Sequence, residues 1–351
     1  MKITFKKEIL CSDSELNKLI YKHDFANASR LLLNLQKNSW AQLSEGYKSL
    51  GTIKTKEFHF NGFTIRIQFN PGRIISTSAK VDETAIKARK CFLCNENLPD
   101  EQKGILYRDN FLILCNPFPI FQEHFTIPSI IHSPQEIKNS IDIFLSLSKD
   151  LSANYIVFYN GPKCGASAPD HLHFQAGNKF FMPIDKEYNF LKSKYSLGIL
   201  RDENISINVI DDGLRRFVSF ESKNKREIVR YFHKLYSLLV SISNKNEEPK
   251  MNIISSYEKI TGWRVIVLLR EKHRSSHFFA EGDNKILMSP AAVDLGGVTI
   301  TPLENDFNKI TKEIVVEIFN EVSSNRESVE ALLEKMKDKF NSLLFIENGK
   351  S

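Results

Sequence analysis

The sequence predicts an α+β fold in which antiparallel sheets with flanking helices form two pseudo-repeated halves behind a helical leader. Three observations predict it: a near-alternating apolar hairpin over 56–69, short apolar strands separated by helix-period segments, and a gapless internal similarity at an offset of 153 residues. The expected boundaries are 1–50 for the leader, 51–200 for a catalytic half, and 201–351 for a second half with C-terminal helices.

At 351 residues the chain is long enough to bury two such units. It is 42% hydrophobic and 26% charged with 15 Gly and 12 Pro, which excludes disordered and collagen-like classes. The net charge of +6 contains no long block of one sign, so it suits an anionic small substrate as readily as nucleic acid. The opening MKITFKKEIL lacks the apolar stretch of a secretory signal, and no apolar run reaches the roughly 18 residues of a membrane span. A cytoplasmic protein with no membrane partner is expected.

Asp13 or Ser14 caps the leader, whose apolar residues recur from Leu16 through Leu35. Phe58, Phe60, Phe63, Ile65, Ile67 and Phe69 then alternate about Asn61-Gly62, a hairpin turn. Strands are expected at 111–115 and 125–127. Ser133-Pro134-Gln135-Glu136 has the form of a helix start, predicting a helix to about Leu151. Tyr155 to Tyr159 is a short buried strand, and the loop from Lys163 to Asp170 leads into His171-Leu-His-Phe-Gln175. Further on, a helix is predicted over 225–243, a linker over 244–249, strands at 251–255 and 263–269, and helices over 306–322 and 328–344. The internal similarity lays Phe111 to Phe125 over Arg264 to Phe278.

As a strand, His171-Leu-His-Phe-Gln175 puts both imidazoles and the amide on one face and Leu172 and Phe174 in the core. A pair of satisfied histidines on a sheet face is the simple reading of such a pattern. The preceding Gly165-Ala166-Ser167 argues for more, because small residues let backbone amides approach an anion and Ser167 adds a donor. Arg73, ending a strand, and Lys163, in the loop, are the cations nearest these motifs, although solvated surface positions fit both. Cys91 and Cys94 have the spacing of a zinc half-site and need two more ligands; two buried thiols near a turn is the alternative. A redox pair is disfavoured because no helix follows Phe92-Leu93.

The tract from Asn160-Gly161 to His171-Leu-His-Phe-Gln175 resembles the transferase branch of the histidine-triad superfamily, in which Gln replaces the third histidine. Cys91-x-x-Cys94 with His124 and His171 is similar to galactose-1-phosphate uridylyltransferases and diadenosine tetraphosphate phosphorylases. Gln68-Phe-Asn-Pro-Gly-Arg73 and His171 to Ala176 resemble the GDP-hexose phosphorylases. The similarity runs from about Ile67 to Phe181, with weaker echoes to Pro302.

The resemblance implies phosphorolysis of a nucleotide sugar, GDP-hexose and phosphate giving GDP and hexose 1-phosphate, through a nucleotidyl-histidine. His173 would be the nucleophile, with His171 and Gln175 as catalytic companions and Arg73, Asn160, Lys163, Gly165, Ala166 and Ser167 on the substrate. A structural Zn²⁺ would sit on Cys91, Cys94, His124 and His171. The expected partners are a nucleotide sugar or a dinucleotide, with inorganic phosphate, and the chain would be a monomer or a homodimer. A diadenosine polyphosphate phosphorylase and a hexose-1-phosphate uridylyltransferase are the alternatives within the enzyme class. Outside it stands a zinc-braced nucleotide- or RNA-binding protein, although no nucleic-acid partner is expected.

Overall fold

Every residue of Tyr155–Asn160 is buried, so this strand must have protein on both of its faces and at both of its edges. The computed structural model, which describes residues 7–78, 82–243 and 247–346, places it in the middle of an eleven-stranded sheet. The strands in chain order are β1 (Lys54–His59), β2 (Thr64–Phe69), β3 (Gly104–Tyr107), β4 (Phe111–Cys115), β5 (His124–Pro128), β6 (Tyr155–Asn160) and β7 (His173–Asn178). They continue with β8 (Ser196–Arg201), β9 (Ser206–Asp211), β10 (Arg216–Ser222), β11 (Met251–Glu258), β12 (Gly262–Leu269), β13 (Val298–Thr301) and β14 (Leu344–Ile346).

The large sheet runs β14-β8-β9-β10-β12-β11-β6-β7-β5-β4-β3. Its order is symmetric about the β6–β11 pair: β3, β4, β5, β7, β6 on one side are matched by β8, β9, β10, β12, β11 on the other. The pair is antiparallel, with Asn160 opposite Asn252 and Phe158 opposite Ile254. Two halves are thus present, joined as one continuous sheet. The similarity at an offset of 153 is corrected, because β12 occupies the place of β7 in this order and β9 that of β4. Two apolar strands share a pattern whatever their place, which is why the offset misled. The boundary expected at 200 falls inside β8.

Helices cover both faces. On one face Ile141–Asp150, Lys225–Ser243 and Arg326–Lys339 pack with the leader helices Ser14–Tyr21 and Phe25–Ser39. On the other lie Pro183–Tyr195, Lys312–Val322 and a three-stranded sheet, β1-β2-β13. The hairpin β1–β2 forms as expected, with Gly62 at φ +91° in its turn, a conformation that side chains with a Cβ avoid. Over the second half, Tyr188 of Pro183–Tyr195 bonds Ser219 on β10 at 2.8 Å and lies under the guanidinium of Arg264 on β12. That face is filled by a helix where the first half carries a pocket. The predicted linker at 244–249 lies partly outside the described residues, at 244–246.

The leader is no appendage. Gln36 exchanges hydrogen bonds with the Glu101 carbonyl and the Lys103 amide, and Arg30 pairs with Glu123 at 2.9 Å. The Tyr47 hydroxyl accepts from the His124 amide and donates to the His124 carbonyl.

The helix predicted from Ser133 begins instead at Ile141. The Ser133 carbonyl accepts from the Leu172 amide at 2.7 Å, and Gln135, fully buried, treats the end of β7 as a partner strand. Its Oε1 accepts from the His173 amide at 2.7 Å, and its Nε2 donates to the carbonyls of Asn160 and His173. Tertiary pairing overrides the local helix-start signal. Replacing Gln135 by Leu leaves one buried donor and two buried acceptors unpaired, so unfolding in urea should show a loss of about 2–4 kcal/mol. An unchanged midpoint would mean that the clamp contributes nothing.

Candidate active site

A pocket of about 420 Å³ opens between the two halves, beside the start of β7. From the first half come His173, Gln175, Asn160 and the loop Gly165-Ala166-Ser167; from the second come His273, Arg274, Ser289 and Asp294; the leader adds Trp40 and Gln42. The pocket thus gathers most of the residues singled out by sequence, together with several that were not.

His173 is 2% exposed, and its Nδ1 lies 2.8 Å from the His171 carbonyl. A carbonyl only accepts, so Nδ1 carries the proton and Nε2 holds the lone pair. Burial pushes the His173 pKa down to about 4, which keeps the ring neutral near pH 7. Gln175 is oriented by His124. The Ile120 amide donates to His124 Nδ1, so His124 Nε2 is the protonated nitrogen and donates to Gln175 Oε1 at 3.0 Å. The Gln175 amide nitrogen is thereby left as the donor end. Burial, and then the charge of Arg73, hold His124 at a pKa of about 3, consistent with this single tautomer.

Arg73 follows β2 in the turn Pro71–Arg73, donates to the Phe118 carbonyl at 2.7 Å and lines the pocket. Burial lowers its pKa to about 10, opposed by the carboxylate of Asp294, so it is a cation at neutral pH. Gly165, at φ +94°, packs so closely that a Cβ would stand 2.6 Å from the Ala291 Cβ. Only glycine lets the loop lie against the second half here.

Three expectations are corrected. Lys163 is exposed and paired with Glu247, away from the pocket lining. His171 is also absent from the lining: its Nε2 donates to the Ser129 carbonyl at 2.8 Å, and its Nδ1 faces Cys91 Sγ at 3.3 Å and Cys94 Sγ at 3.6 Å. It serves the cysteine cluster and lends His173 only a carbonyl. His124 is not with the cysteines, because both of its nitrogens are engaged at Ile120 and Gln175.

The fourth member of the cluster is His132, whose Nδ1 lies 3.2 Å from Cys94 Sγ. The ligand atoms of Cys91, Cys94, His132 and His171 all lie within 4.8 Å of one another. Bonds of about 2.3 Å to sulfur and about 2.1 Å to nitrogen in a tetrahedron put sulfur and nitrogen about 3.6 Å apart, close to these spacings. Outer partners are also in place: Ser129 fixes the His171 tautomer, and Asp170, paired with Arg89 at 2.6 Å, stands 4.0 Å from His132 Nε2. Two thiols and two imidazoles so arranged can hold a metal ion. His132 was missed because it is exposed and outside any recognisable spacing. Its one signal is its place just beyond β5, the strand beside β7.

Comparison with known proteins finds family and fold relatives. A family model described as a domain of unknown function (DUF4922) matches residues 32–178, and one described as "GDPGP1-like, C-terminal domain" matches residues 195–343. Yeast Ap4A phosphorylase Apa2 has a similar fold at 14% identity, with a TM-score of 0.50 over 82% of this chain and 94% of the yeast chain. Its structure in complex with Ap4A gives a TM-score of 0.52 over 82% and 97%. The second half of the chain thus matches a GDPGP1-like domain, and the chain as a whole shares its fold with the yeast phosphorylase. No curated protein matches the chain by sequence. No helix among the described residues is long and apolar enough to cross a membrane.

The cluster generates a direct test with Co²⁺ as the probe. His132→Ala should weaken binding, read from the thiolate-to-metal absorption, by more than about tenfold, whereas His124→Ala should leave it unchanged. The opposite pattern would return His124 to the ligand set.

Proposed function

We propose that this protein is a nucleotidyltransferase that phosphorolyses a nucleotide sugar, converting a GDP-hexose and inorganic phosphate into GDP and hexose 1-phosphate. The observation that carries the reading is His173, a buried neutral imidazole whose Nδ1 proton is committed to a backbone carbonyl and whose Nε2 lone pair is left for an electrophile. In the first step Nε2 attacks the α-phosphorus and the bond from that phosphorus to the bridging oxygen breaks, releasing hexose 1-phosphate. In the second, an oxygen of inorganic phosphate attacks the same phosphorus, the P–N bond breaks, and a nucleoside diphosphate leaves with His173 restored. Gln175 and Ser167, which line the pocket, would donate to the phosphoryl oxygens, and Arg73 would balance their charge. Gln175 cannot supply a proton, which suits a leaving group that departs as an already stable sugar phosphate.

The charge of the lining discriminates between leaving groups. Among the described lining residues the cations are Arg73 and Arg274, while His273, Ser289 and Asp294 offer uncharged or acidic hydrogen-bonding groups. Burial and the neighbouring Arg274 and Arg270 hold His273 neutral, near a pKa of 3. One phosphate with sugar hydroxyls matches that lining better than a departing triphosphate would. The GDPGP1-like match over 195–343 supports the same reading. The alternative, a dinucleoside polyphosphate substrate, is supported by the likeness of fold to yeast Ap4A phosphorylase.

Zn²⁺ is the proposed occupant of Cys91, Cys94, His132 and His171, on the grounds of two soft thiolates with two imidazoles. When bound it supplies a structural brace between the segment at 91–94, the end of β5 and the entry to β7. A cytoplasmic setting fits five cysteines that are all free.

Two outcomes test this reading. Mixing with labelled GDP-hexose in the absence of phosphate should leave an acid-labile, base-stable adduct on the wild type and none on His173→Ala; a fully active variant would end the assignment. Metal analysis should find about one zinc per chain, and replacing Cys91 and Cys94 by Ser should remove it and lower the unfolding temperature. Protein that folds fully and carries no zinc would return both cysteines to the core.

A further inference from the structure

Asn160 lines the pocket, yet its side-chain oxygen does not face it. Asn160 Oδ1 accepts two hydrogen bonds, from the Ala292 amide at 2.9 Å and from Asn252 Nδ2 at 2.9 Å. Both donors belong to the second half. Asn252, fully buried on β11, stands opposite Asn160 in the central β6–β11 pair. Its Nδ2 also donates to the Cys164 carbonyl at 2.7 Å, holding the start of the Gly165-Ala166-Ser167 loop.

The orientation of Asn252 is set in turn by Arg270. A guanidinium only donates, so the Asn252 atom 2.5 Å from Arg270 Nη1 must be its oxygen. Arg270 is 4% exposed, and its remaining bonds go to backbone carbonyls: Nη1 to Pro290, Nε to Val322, and Nη2 to Lys272 and His273. A buried cation hydrogen-bonded entirely to neutral acceptors is expensive and does more here than fill space.

We propose that Arg270 and Asn252 are positioning residues that act through Asn160. They form a polarised relay in which each amide oxygen is taken by the donor behind it, so the amide nitrogen of Asn160 is the end presented to a substrate phosphate. The charge on Arg270 gives the relay its direction, and each bond polarises the next. The second half, which lacks nucleophile and triad, thus completes the phosphate site across the central strand pair. This inference rests on the reading of the pocket as a nucleotide site, and not on the identity of the sugar.

The test is Asn252→Asp in the full-length protein. The carboxylate keeps the bond to Arg270, as an ion pair, but cannot donate to Asn160 or Cys164; it attracts the Asn160 nitrogen away from the pocket and leaves the Ala292 amide as the one donor that opposes the turn. GDP and ADP binding by titration calorimetry is the first readout and phosphorolysis of GDP-hexose the second. We expect kcat to fall about 100-fold, the size of effect seen when one preorganised donor is lost, with affinity for the preferred nucleotide falling in parallel and the thermal midpoint lowered as the Cys164 carbonyl loses its donor. Asn252→Ala, which leaves the Asn160 oxygen held by the Ala292 amide alone, should show a smaller loss in the same direction and serves if the Asp variant does not fold.

In an Asn160→Ala background each substitution should cost much less than it does alone, the remainder being what Asn252 exerts through the Cys164 carbonyl and the loop. Full additivity in that cycle, or unchanged affinity and rate in both single variants, would overturn the proposal. Wild-type protein that binds GDP but turns over no nucleotide sugar would sink the phosphorolysis reading and leave the relay standing on the binding cycle. Wild-type protein that binds neither nucleotide would sink both.

Discussion

The structure depends on one antiparallel pairing, that of β6 with β11. These strands have no solvent edge and almost no solvent face, so their apolar residues hold the two halves as one body while Asn160 and Asn252 must find buried partners, each other first. Buried amides of this kind must be paired or they cost more than they contribute. The pairing therefore fixes more than the join between the halves. It carries β7 into place beside β6 and brings the segment at 270–294 over the first half, and it closes the pocket from a side that the first half cannot reach alone.

Much of the site was legible because strand periodicity is a strong constraint. Alternation through His171-Leu-His-Phe-Gln175 predicted which side chains share a face, and His173 and Gln175 do line the pocket with Asn160 and the small-residue loop. The hairpin at Asn61-Gly62 and the helix Lys225–Ser243 were equally plain, since turn chemistry and a long amphipathic period both act locally. What failed were relations set at a distance. His132 joins Cys94 only because β5 ends beside the entry to β7, and nothing near it in the chain records that. Ser133-Pro134 has the form of a helix start, but Gln135 finds better partners on the end of β7. The repeat was sensed but misaligned, because apolar strands carry no label saying which neighbour they want.

The cysteine–histidine cluster and the pocket meet at the entry to β7. His171 turns both nitrogens away from the pocket, one to the Ser129 carbonyl and one to the thiols, and His173, two residues on, is left with a single protonated nitrogen and a single basic one. His124 similarly spends both nitrogens on giving Gln175 one orientation. Three buried imidazoles thus hold three different settings, each decided by what the second ring nitrogen touches.

The helix Pro183–Tyr195, laid over β10 and β12, leaves the molecule with pseudo-symmetry in its sheet and none in its chemistry. In a dimer of identical chains every substitution is made twice, once at each end of the axis, so a residue improved for one task must be tolerated at its mirror position. Here each position is written once. Asn160 and Asn252 can diverge in duty while still meeting across the axis, and a mutation that tunes one side of the pocket leaves no shadow on the other.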